Sequence, residues 1–500
     1  MGAGLSHREN EGENERRSSD PTGLARTGLA TSMKKTLFSW FGDSFEDAPT
    51  RHAFLLIVGL CFVLHIAWFA LDRKHDDPDT QSYVVPAKNI LAGHGFRDEE
   101  GFPDTFRTPG YPMVIAGFLA SGMGLTGLVV FQHLLGTLLV AALFIWARLM
   151  IRDRLIASTA SLIAVLYLPS LHEPNLIMAE TIFSVVLFAI VVLTYRLATT
   201  DKPSSLVALV IGTLAGLNVL LRPIGLWYGF VLAAYFLLFL RRRLFLVGIL
   251  ILSFALPPAL WTARNYRQTG IATLTSITGE NLLFFRAAGL LVIEDRGFLY
   301  GLLAMQLEHD FFLRFRRLQP KLKRAAEERA SAVWGKPASR LSHVQKEVYY
   351  NELAREIVKT RIMHYPKLFV SGVIQLLVDG LWQIAVQKLD FDYRRAIPGF
   401  TFLGLMLLGF AVAGVVWFCG TSPSLGWLLA LTLGYFVAVS AGPGGVYRFS
   451  VPIAPLYALA AGGGIRWLAS RTGIISQIRE VWSALSEVPE TRGESKRATH

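Results

Sequence analysis

An acidic run at residues 72–79 carries the side chains best suited to chemistry in this 500-residue sequence. It follows directly on a long apolar run, reads DRKHDDPD, and includes Asp76, Asp77 and Asp79. Carboxylates crowded beside a membrane boundary are partly desolvated and repel one another, which raises at least one pKa. Such a group is a candidate general base, although an ordinary solvated acidic loop has the same composition.

Two motifs after the acidic run supply cations and aromatic rings. The segment AKNILAGHGF at 87–96 leads through an acidic turn to FRTPGYP at 106–112. The pattern predicts a short amphipathic helix from residue 80 to 92, a glycine turn and a proline-bracketed return to the membrane surface. Lys88 would lie on that helix, either as a cation beside the acids or as a solvated lysine.

The elements that must position these residues are those of a membrane protein. Hydrophobic residues make up 52% of the chain and charged residues 17%, against about 25% charged in soluble domains. Two cysteines exclude a disulfide scaffold. The net charge is +12, but basic stripes interleaved with aromatic residues are missing, so no nucleic-acid partner is expected.

Apolar runs long enough to cross a bilayer occur along most of the sequence. They predict an all-α polytopic membrane protein with about 10–12 transmembrane helices. Two large loops interrupt the series, 72–125 and 263–366, which we call the first and second large loops. The runs lie at 54–71, 126–147, 155–171, 176–195, 205–221, 224–240, 244–262, 367–386, 399–419, 424–441 and 449–467.

Basic residues in the short loops give the orientation. They follow the second, fourth and sixth runs, whereas the alternate loops are poor in Lys and Arg. By the positive-inside rule the amino terminus is cytoplasmic, and both large loops are extracytoplasmic. The residues concerned are Arg148, Arg152, Arg154, Arg196, Lys202, Arg241, Arg242 and Arg243.

Whether the number of spans is odd or even decides on which side of the membrane the carboxyl end lies. Arg466, Arg471 and Arg479 favour the cytoplasmic side. Eleven complete spans would leave that end outside, so we expect 367–386 to be interfacial or re-entrant.

Polar tails flank the membrane domain, which we place at 51–470. Residues 1–50 lack apolar periodicity and are expected to form a disordered cytoplasmic tail, and 471–500 a polar carboxy-terminal tail. No asparagine begins an Asn-x-Ser/Thr sequon, which favours a bacterial inner membrane over a eukaryotic secretory membrane.

An ordered set of motifs resembles a known family. Asp79 just past the first apolar run, then Tyr83, A-x-N-I-L-x-G-x-G-F and R-T-P-G-Y-P, is similar to the GT-C-type glycosyltransferases. More narrowly, it resembles the bacterial branch of the dolichyl-phosphate-mannose protein mannosyltransferase and aminoarabinose transferase superfamily. The resemblance covers residues 54–465. Its later parts are Leu221-Arg222-Pro223, Ala263-Arg264-Asn265-Tyr266 and Tyr447-Arg448-Phe449.

The resemblance implies an integral-membrane enzyme that takes a sugar from a polyprenyl-phosphate carrier, outside the cytoplasm, and gives it to a cell-envelope glycolipid, polysaccharide or protein. No P-loop or dinucleotide-binding glycine motif is present in the sequence, so no nucleotide cofactor is expected. The phosphate leaving group needs no general acid, and one carboxylate suffices as base in an inverting transfer. The family motif assigns that role to Asp79, with Asp76 and Asp77 as the alternatives in register.

The leaving phosphate needs cations held in place, and bidentate arginine is the favoured donor. Arg222 is the first candidate, because a topology-setting arginine would prefer the other side of the membrane. Arg107, Arg264 and Arg448 are the others, and Lys88 is the alternative. Tyr83, Tyr111 and Tyr447 are expected to line the substrate pocket.

A second acidic position lies between the third and fourth apolar runs. Glu180 falls within an apolar stretch, where an ionisable side chain is a functional hypothesis. Glu173, beside His172, lies in the preceding turn. These residues could offer ligands to a divalent metal, but two ligands do not make a site, and metal dependence is left open.

The second large loop is basic, with 17 Lys and Arg against 10 Asp and Glu over 263–366. Its segment from Phe311 to Arg324 has the pattern of an amphipathic helix on an anionic membrane or beside an anionic acceptor, or of a solvated face. A transporter or flippase of lipid-linked sugars is an alternative function, although no internal repeat is visible. An envelope-glycan polymerase or ligase is another.

Overall fold

The computed structural model describes residues 47–240, 243–294, 309–443 and 447–473. Over these ranges the chain is helical and contains no strand beyond an isolated bridge between Arg97 and Pro103. Backbone contacts divide the chain into Met1–Arg51 and His52–His500. The predicted tails at 1–50 and 471–500 lie almost entirely outside the described residues.

The first half of the described chain contains the first large loop and most of the apolar helices. Tight turns follow several helices, and short 3₁₀ turns at Glu173–Asn175 and Pro223–Gly225 precede two of them. In chain order the helices are α1 (Ala48–Leu71), α2 (Thr80–Leu91), α3 (Gly110–Ala120), α4 (Gly124–Met150), α5 (Arg154–Leu166), α6 (Leu168–His172), α7 (Glu180–Thr199), α8 (Ser205–Leu221), α9 (Tyr228–Phe239) and α10 (Arg243–Thr269).

The second half begins with the helices of the second large loop. A π-helical turn at Leu282–Ala287 joins its first two helices, and a 3₁₀ turn at Tyr447–Ile453 precedes the last helix. The helices are α11 (Ile277–Asn281), α12 (Ala288–Ile293), α13 (His309–Trp334), α14 (His343–Thr360), α15 (Tyr365–Leu377), α16 (Gly380–Leu389), α17 (Tyr393–Thr421), α18 (Pro423–Ser440) and α19 (Ala454–Thr472).

Six described helices are long and apolar enough to cross a membrane: α1, α4, α7, α10, α17 and α18. A seventh candidate is the pair formed by α5 and the segment Leu168–Asn175, which is bent by 62°. The bend follows from Pro169, because proline lacks the N–H that would continue the helix and its ring clashes with the preceding turn. Three shorter apolar helices accompany them. The prediction of an all-α polytopic membrane protein is confirmed.

The apolar run at 367–386 is not one continuous helix. It divides into α15 and α16 at Val378 and Asp379. Leu368, near its start, packs in the core of the second large loop. Lys388, near its end, donates to Asp72 at 2.8 Å, directly after α1. The two ends of the segment therefore contact the second large loop and the acidic run, and its interfacial or re-entrant course stays a prediction.

The opposite end of the bundle is marked by one ion pair. Arg466, in α19, donates to Asp153 at 2.6 Å. Asp153 also caps α5, because its Oδ1 accepts the N–H of Ile156 at 3.1 Å. The last described helix thus ends beside the basic loop that contains Arg152 and Arg154.

The two large loops pack on each other through hydrogen bonds to the backbone carbonyl oxygens of the first loop. Ser276 N–H donates to the carbonyl oxygen of Thr105 at 2.7 Å, and the hydroxyl of Thr275 donates to the carbonyl oxygen of Phe106 at 2.6 Å. The second loop brings its own apolar core, centred on Leu290, Ala326 and Ala354. Residues 105–107 are therefore held between the membrane helices and α11.

Candidate active site

Asp79 stands at the start of α2, a helix that confirms the predicted one at 80–92. Its side chain does not cap the helix. Instead Oδ1 lies 3.0 Å from Nη2 of Arg107, and Oδ2 accepts a hydrogen bond from Nη2 of Arg448 at 2.8 Å. The side chain is 31% exposed, so this doubly paired carboxylate faces accessible space.

The pKa of Asp79 is held below its usual value. Burial by itself would raise the pKa, but the guanidinium groups of Arg107 and Arg448 outweigh it by charge and by hydrogen bonding. Crowding is expected to raise at least one pKa in the acidic run, and Asp79 is not such a group, because its pKa is lowered. The reason is that Arg107, from the same large loop, and Arg448, from a distant segment, supply cations that the acidic run alone does not reveal.

The neighbouring acids occupy different positions. Asp77 lies 3.3 Å from Nη1 of Arg448, and its Oδ1 also accepts the N–H of Asp79 at 3.0 Å. Its own N–H donates to Thr80 Oγ1 at 2.8 Å, which fixes the turn into α2. Asp76 is exposed and forms no ion pair within the ranges that the structure describes. The structure thus brings Asp77 and Asp79 to the arginines and leaves Asp76 outside.

Arg107 is oriented by α2. Nε donates to Ser82 Oγ at 2.7 Å and Nη1 to the hydroxyl of Tyr83 at 3.1 Å, so that Nη2 is directed at Asp79. The guanidinium carbon also lies 4.3 Å from the centre of the Tyr83 ring, a cation–π arrangement. Tyr83 therefore supports the arginine.

Arg448 and Arg222 bring charge from two other parts of the chain. Arg448 is the second residue of the 3₁₀ turn before α19, and Arg222 follows α8. Arg222 forms an ion pair with Glu180, and Nε of Arg448 lies 3.9 Å from the same carboxylate. Their guanidinium carbons lie 5.1 and 5.2 Å from the centre of the Phe449 ring. One aromatic ring thus holds both arginines near Glu180.

Two buried glutamates lie behind the arginines. Glu180, at the start of α7, and Glu173, in the 3₁₀ turn before it, are each 1% exposed. Neither oxygen of Glu173 has a hydrogen-bond partner within the described chain. Glu180, Arg448, Arg222 and Asp77 are the charged groups around Glu173. The site therefore contains four carboxylates and three guanidinium groups: Asp77, Asp79, Glu173, Glu180, Arg107, Arg222 and Arg448.

Two of the other candidate cations lie elsewhere. Arg264 donates to the carbonyl oxygens of Phe96, at 2.7 Å, and Asp104, at 2.8 Å, and so fastens the first large loop to α10. Lys88 is exposed on α2 and forms no ion pair with any residue that the structure describes.

The aromatic candidates are partly structural. Tyr111 is fully buried, and its hydroxyl donates to Gln132 at 2.8 Å. Tyr447 is largely buried, with its ring 6.0 Å from that of His172. Of the three tyrosine candidates, Tyr83 is the one that contacts an arginine partner of Asp79, namely Arg107.

Glu280, in α11, was not suggested by the sequence. Burial raises its pKa, against the opposing charges of Lys323, Arg107 and Lys346, and Asp79 is close enough to contribute. No local motif marks this glutamate. It reaches the site because Ser276 pairs with Thr105 across the two large loops.

The acids around Asp79 do not form a metal-ligand set. Within the described ranges, the one group of His, Asp or Glu side chains whose ligand atoms converge is Asp98, Glu100 and His343. His172 instead accepts from Trp68 Nε1 at 3.3 Å and lies 3.7 Å from Asp72. Asp77, Asp79 and Glu180 have arginine partners, an arrangement that suits an incoming phosphate better than a cation.

Comparison with solved structures finds similarity in fold to membrane transferases. Archaeal oligosaccharyltransferase AglB from Archaeoglobus fulgidus, in complex with an inhibitory peptide and a dolichol-phosphate, is 13% identical at a TM-score of 0.47, and the match covers 87% of this chain and 52% of AglB. ArnT from Cupriavidus metallidurans in the apo state is 16% identical at 0.36, covering 87% and 81%. The form bound to undecaprenyl phosphate is 17% identical at 0.34, covering 85% and 80%. This chain therefore spans about half the length of AglB. No protein-family model and no curated protein matches it.

Proposed function

We propose that this protein is a GT-C-type inverting glycosyltransferase that moves a sugar from a polyprenyl-phosphate donor to a cell-envelope acceptor. The observation that carries the proposal is the position of Asp79 between Arg107 and Arg448, with Arg222 close by. A carboxylate that can accept a proton stands beside guanidinium groups that can hold a phosphate. These are the two functions that such a transfer requires.

The chemistry follows from the charges. The acceptor hydroxyl attacks the anomeric carbon, and its proton passes to Asp79. The bond between that carbon and the phosphate oxygen breaks, and the polyprenyl phosphate leaves with the electron pair. Arg222 and Arg448 stabilise the negative charge that develops on the phosphate, because guanidinium pairs bind its oxygens in a bidentate manner. A single displacement inverts the anomeric configuration.

The donor is proposed to reach this site from the bilayer. Asp79 directly precedes α2, and Arg222 directly follows α8. Both residues lie at one end of the apolar bundle. A lipid-linked sugar can enter there sideways between helices, with its prenyl chain left in the membrane. We place this end on the extracytoplasmic side of a bacterial inner membrane and the amino terminus in the cytoplasm, since Arg148, Arg152 and Arg154 lie at the opposite end.

Sugar transfer by the purified protein tests the proposal. The protein, in proteoliposomes, is given a panel of polyprenyl-phosphate sugars and an envelope extract as acceptor. Asp79→Asn is expected to reduce transfer by about 10²–10⁴-fold, the usual contribution of a general base, with donor binding retained. Asp76→Asn is the matched control, because Asp76 is exposed and unpaired within the described residues. It is expected to transfer at the parent rate.

Three other outcomes would change the conclusion. Transfer that survives Asp79→Asn but fails in Asp77→Asn would identify Asp77 as the base. Equal loss in Asp79→Asn and Asp76→Asn would show a general effect of charge in the loop. Movement of the lipid-linked sugar across the bilayer without consumption of the donor would favour a transporter instead.

A further inference from the structure

A second group of ionisable side chains lies where the two large loops meet. Asp98 and Glu100 belong to the first loop, and His343 belongs to the second. One ligand atom of each, a carboxylate oxygen or a ring nitrogen, lies within 4.8 Å of both others. Atoms bound to one zinc ion at about 2.0–2.2 Å lie closer together than this, so a small rotation of the side chains would bring all three onto one ion.

The two carboxylates are presented by a tight turn. Arg97 and Pro103 pair across its base. Asp98 N–H donates to the carbonyl oxygen of Phe102 at 3.0 Å, and Asp98 Oδ1 accepts the N–H of Phe102 at 2.7 Å. Gly101 completes the turn with φ of 83°, a conformation that glycine adopts without strain. The backbone thus holds Asp98 and Glu100 on one side of a rigid turn.

His343 is held just as firmly on the second loop. It is the first residue of α14, directly after Ser342, which forms a capping box with Gln345. Its ring lies 5.2 Å from the ring of Phe106. Neither ring nitrogen forms a hydrogen bond with a residue that the structure describes. The imidazole is therefore free to bind a ligand beside the two acids.

Within the described chain no ion pair neutralises the two acids, and the nearby positive charges of Lys346 and Lys323 act on His343. Asp98 and Glu100 form no ion pair within 47–240, 243–294, 309–443 and 447–473. Even the neighbouring Arg97 donates elsewhere, to the carbonyl oxygens of His94, at 3.0 Å, and Gly101, at 2.6 Å. Two like charges held at this separation repel each other, and a bound cation would remove the repulsion.

We propose that Asp98, Glu100 and His343 bind a divalent transition-metal ion, preferentially Zn²⁺. An imidazole with two carboxylates suits Zn²⁺ or Mn²⁺ better than Ca²⁺ or Mg²⁺, which prefer oxygen ligands alone. Water completes the coordination, since Glu100 is exposed. The ion fastens α14 to the turn at 97–103. It therefore stabilises the contact between the two large loops and takes no part in the chemistry at Asp79.

Zinc binding to the full-length protein tests this site. Protein purified in detergent without a histidine tag is stripped with a chelator, dialysed and titrated with ZnCl₂ in a calorimeter. His343→Ala and Asp98→Asn are each expected to weaken the strongest binding step by at least about 10–100-fold, the loss that removing an outer-shell partner of a ligand typically causes. His364→Ala and Glu99→Gln are the controls, because they remove a histidine and a neighbouring carboxylate that lie outside the cluster, and they are expected to bind as the parent does.

Hydrogen exchange supplies a second measurement that does not depend on activity. Zn²⁺ is expected to slow amide exchange at 97–104 and 341–347 in the parent protein and to leave it unchanged in His343→Ala. Equal zinc affinity in the parent, His343→Ala and Asp98→Asn would overturn the proposal, as would equal weakening in the two controls. Each variant is first shown to elute as the parent does in size-exclusion chromatography, and Asp98→Asn carries the test if His343→Ala misfolds.

Discussion

Replacing Arg448 by Gln tests whether Asp79 is a base whose pKa is set by its arginine partners. Arg448 donates to Asp79 at 2.8 Å, and the two side chains are 20% and 31% exposed. For charge centres about 4 Å apart, an effective dielectric constant of about 20 gives about 4 kcal/mol. Partial exposure screens the pair, so about half of that is a realistic loss. Since 1.36 kcal/mol corresponds to one pKa unit, Arg448→Gln is expected to raise the pKa of Asp79 by about 1–2 units.

A higher pKa of Asp79 moves the loss of activity at acidic pH to higher pH. A general base acts when it is deprotonated, so activity is constant above its pKa and falls as the pH decreases through it. In the parent protein the pKa of Asp79 is depressed, so the acidic limb of kcat/KM, which reports the free enzyme, is expected to lie below the pH at which an ordinary aspartate titrates. In Arg448→Gln the acidic limb should move to higher pH than in the parent, on top of a lower plateau caused by weaker phosphate binding.

The assay is the pH profile of kcat/KM for sugar transfer in proteoliposomes. Arg222→Gln is the control, because Arg222 pairs with Glu180 and not with Asp79. It is expected to lower the plateau through loss of a phosphate-binding cation and to leave the acidic limb where the parent has it. An acidic limb in Arg448→Gln at the parent position would refute the reasoning, and so would an equal shift in Arg222→Gln.

Two further predictions concern stability, measured as the thermal unfolding temperature in detergent by tryptophan fluorescence. Glu180→Gln is expected to lower the free energy of unfolding by about 3–5 kcal/mol, because it leaves the guanidinium of Arg222 buried without its partner. Adding Arg222→Met to the same chain should recover part of the loss. An unchanged unfolding temperature in Glu180→Gln would contradict this prediction. Gly414→Ala is expected to cost about 1–3 kcal/mol, since a Cβ there would overlap the carbonyl oxygen of Ala460. Gly409→Ala, with open space around the added carbon, should cause no loss, and equal effects would show that close packing of α17 on α19 is not the reason.

The local parts of this structure were the ones that the sequence could predict. Periodicity and turn residues were sufficient for the helix at Thr80–Leu91 and for the apolar helices. They were sufficient because both depend on neighbours within a few residues. Asp79 and Arg107 belong to the same loop, so their proximity is also a short-range property.

Long-range packing explains what could not be predicted. Arg264 matched a family motif, yet its guanidinium binds the carbonyl oxygens of Phe96 and Asp104. Glu280 carried no motif and reached the site only because the two large loops dock. The depressed pKa of Asp79 depends on Arg448, which is 369 residues away in the chain. Such contacts are decided by the packing of whole segments, which no local pattern records.

The divided segment α15–α16 has a consequence for the biogenesis of the protein. During synthesis, this stretch leaves the ribosome as an apolar run that the insertion machinery can accept as a span. Its final position, however, depends on chain made later, because Gly372 packs against Gly442 and Gly380 packs against the side chain of Tyr447. The segment cannot settle until α17 and α18 are in the membrane and the turn before α19 has emerged. Tyr447 immediately precedes Arg448, so the arrival of this turn also delivers an arginine to Asp79. The charged site is therefore completed in the last stage of assembly, after most of the membrane bundle has formed.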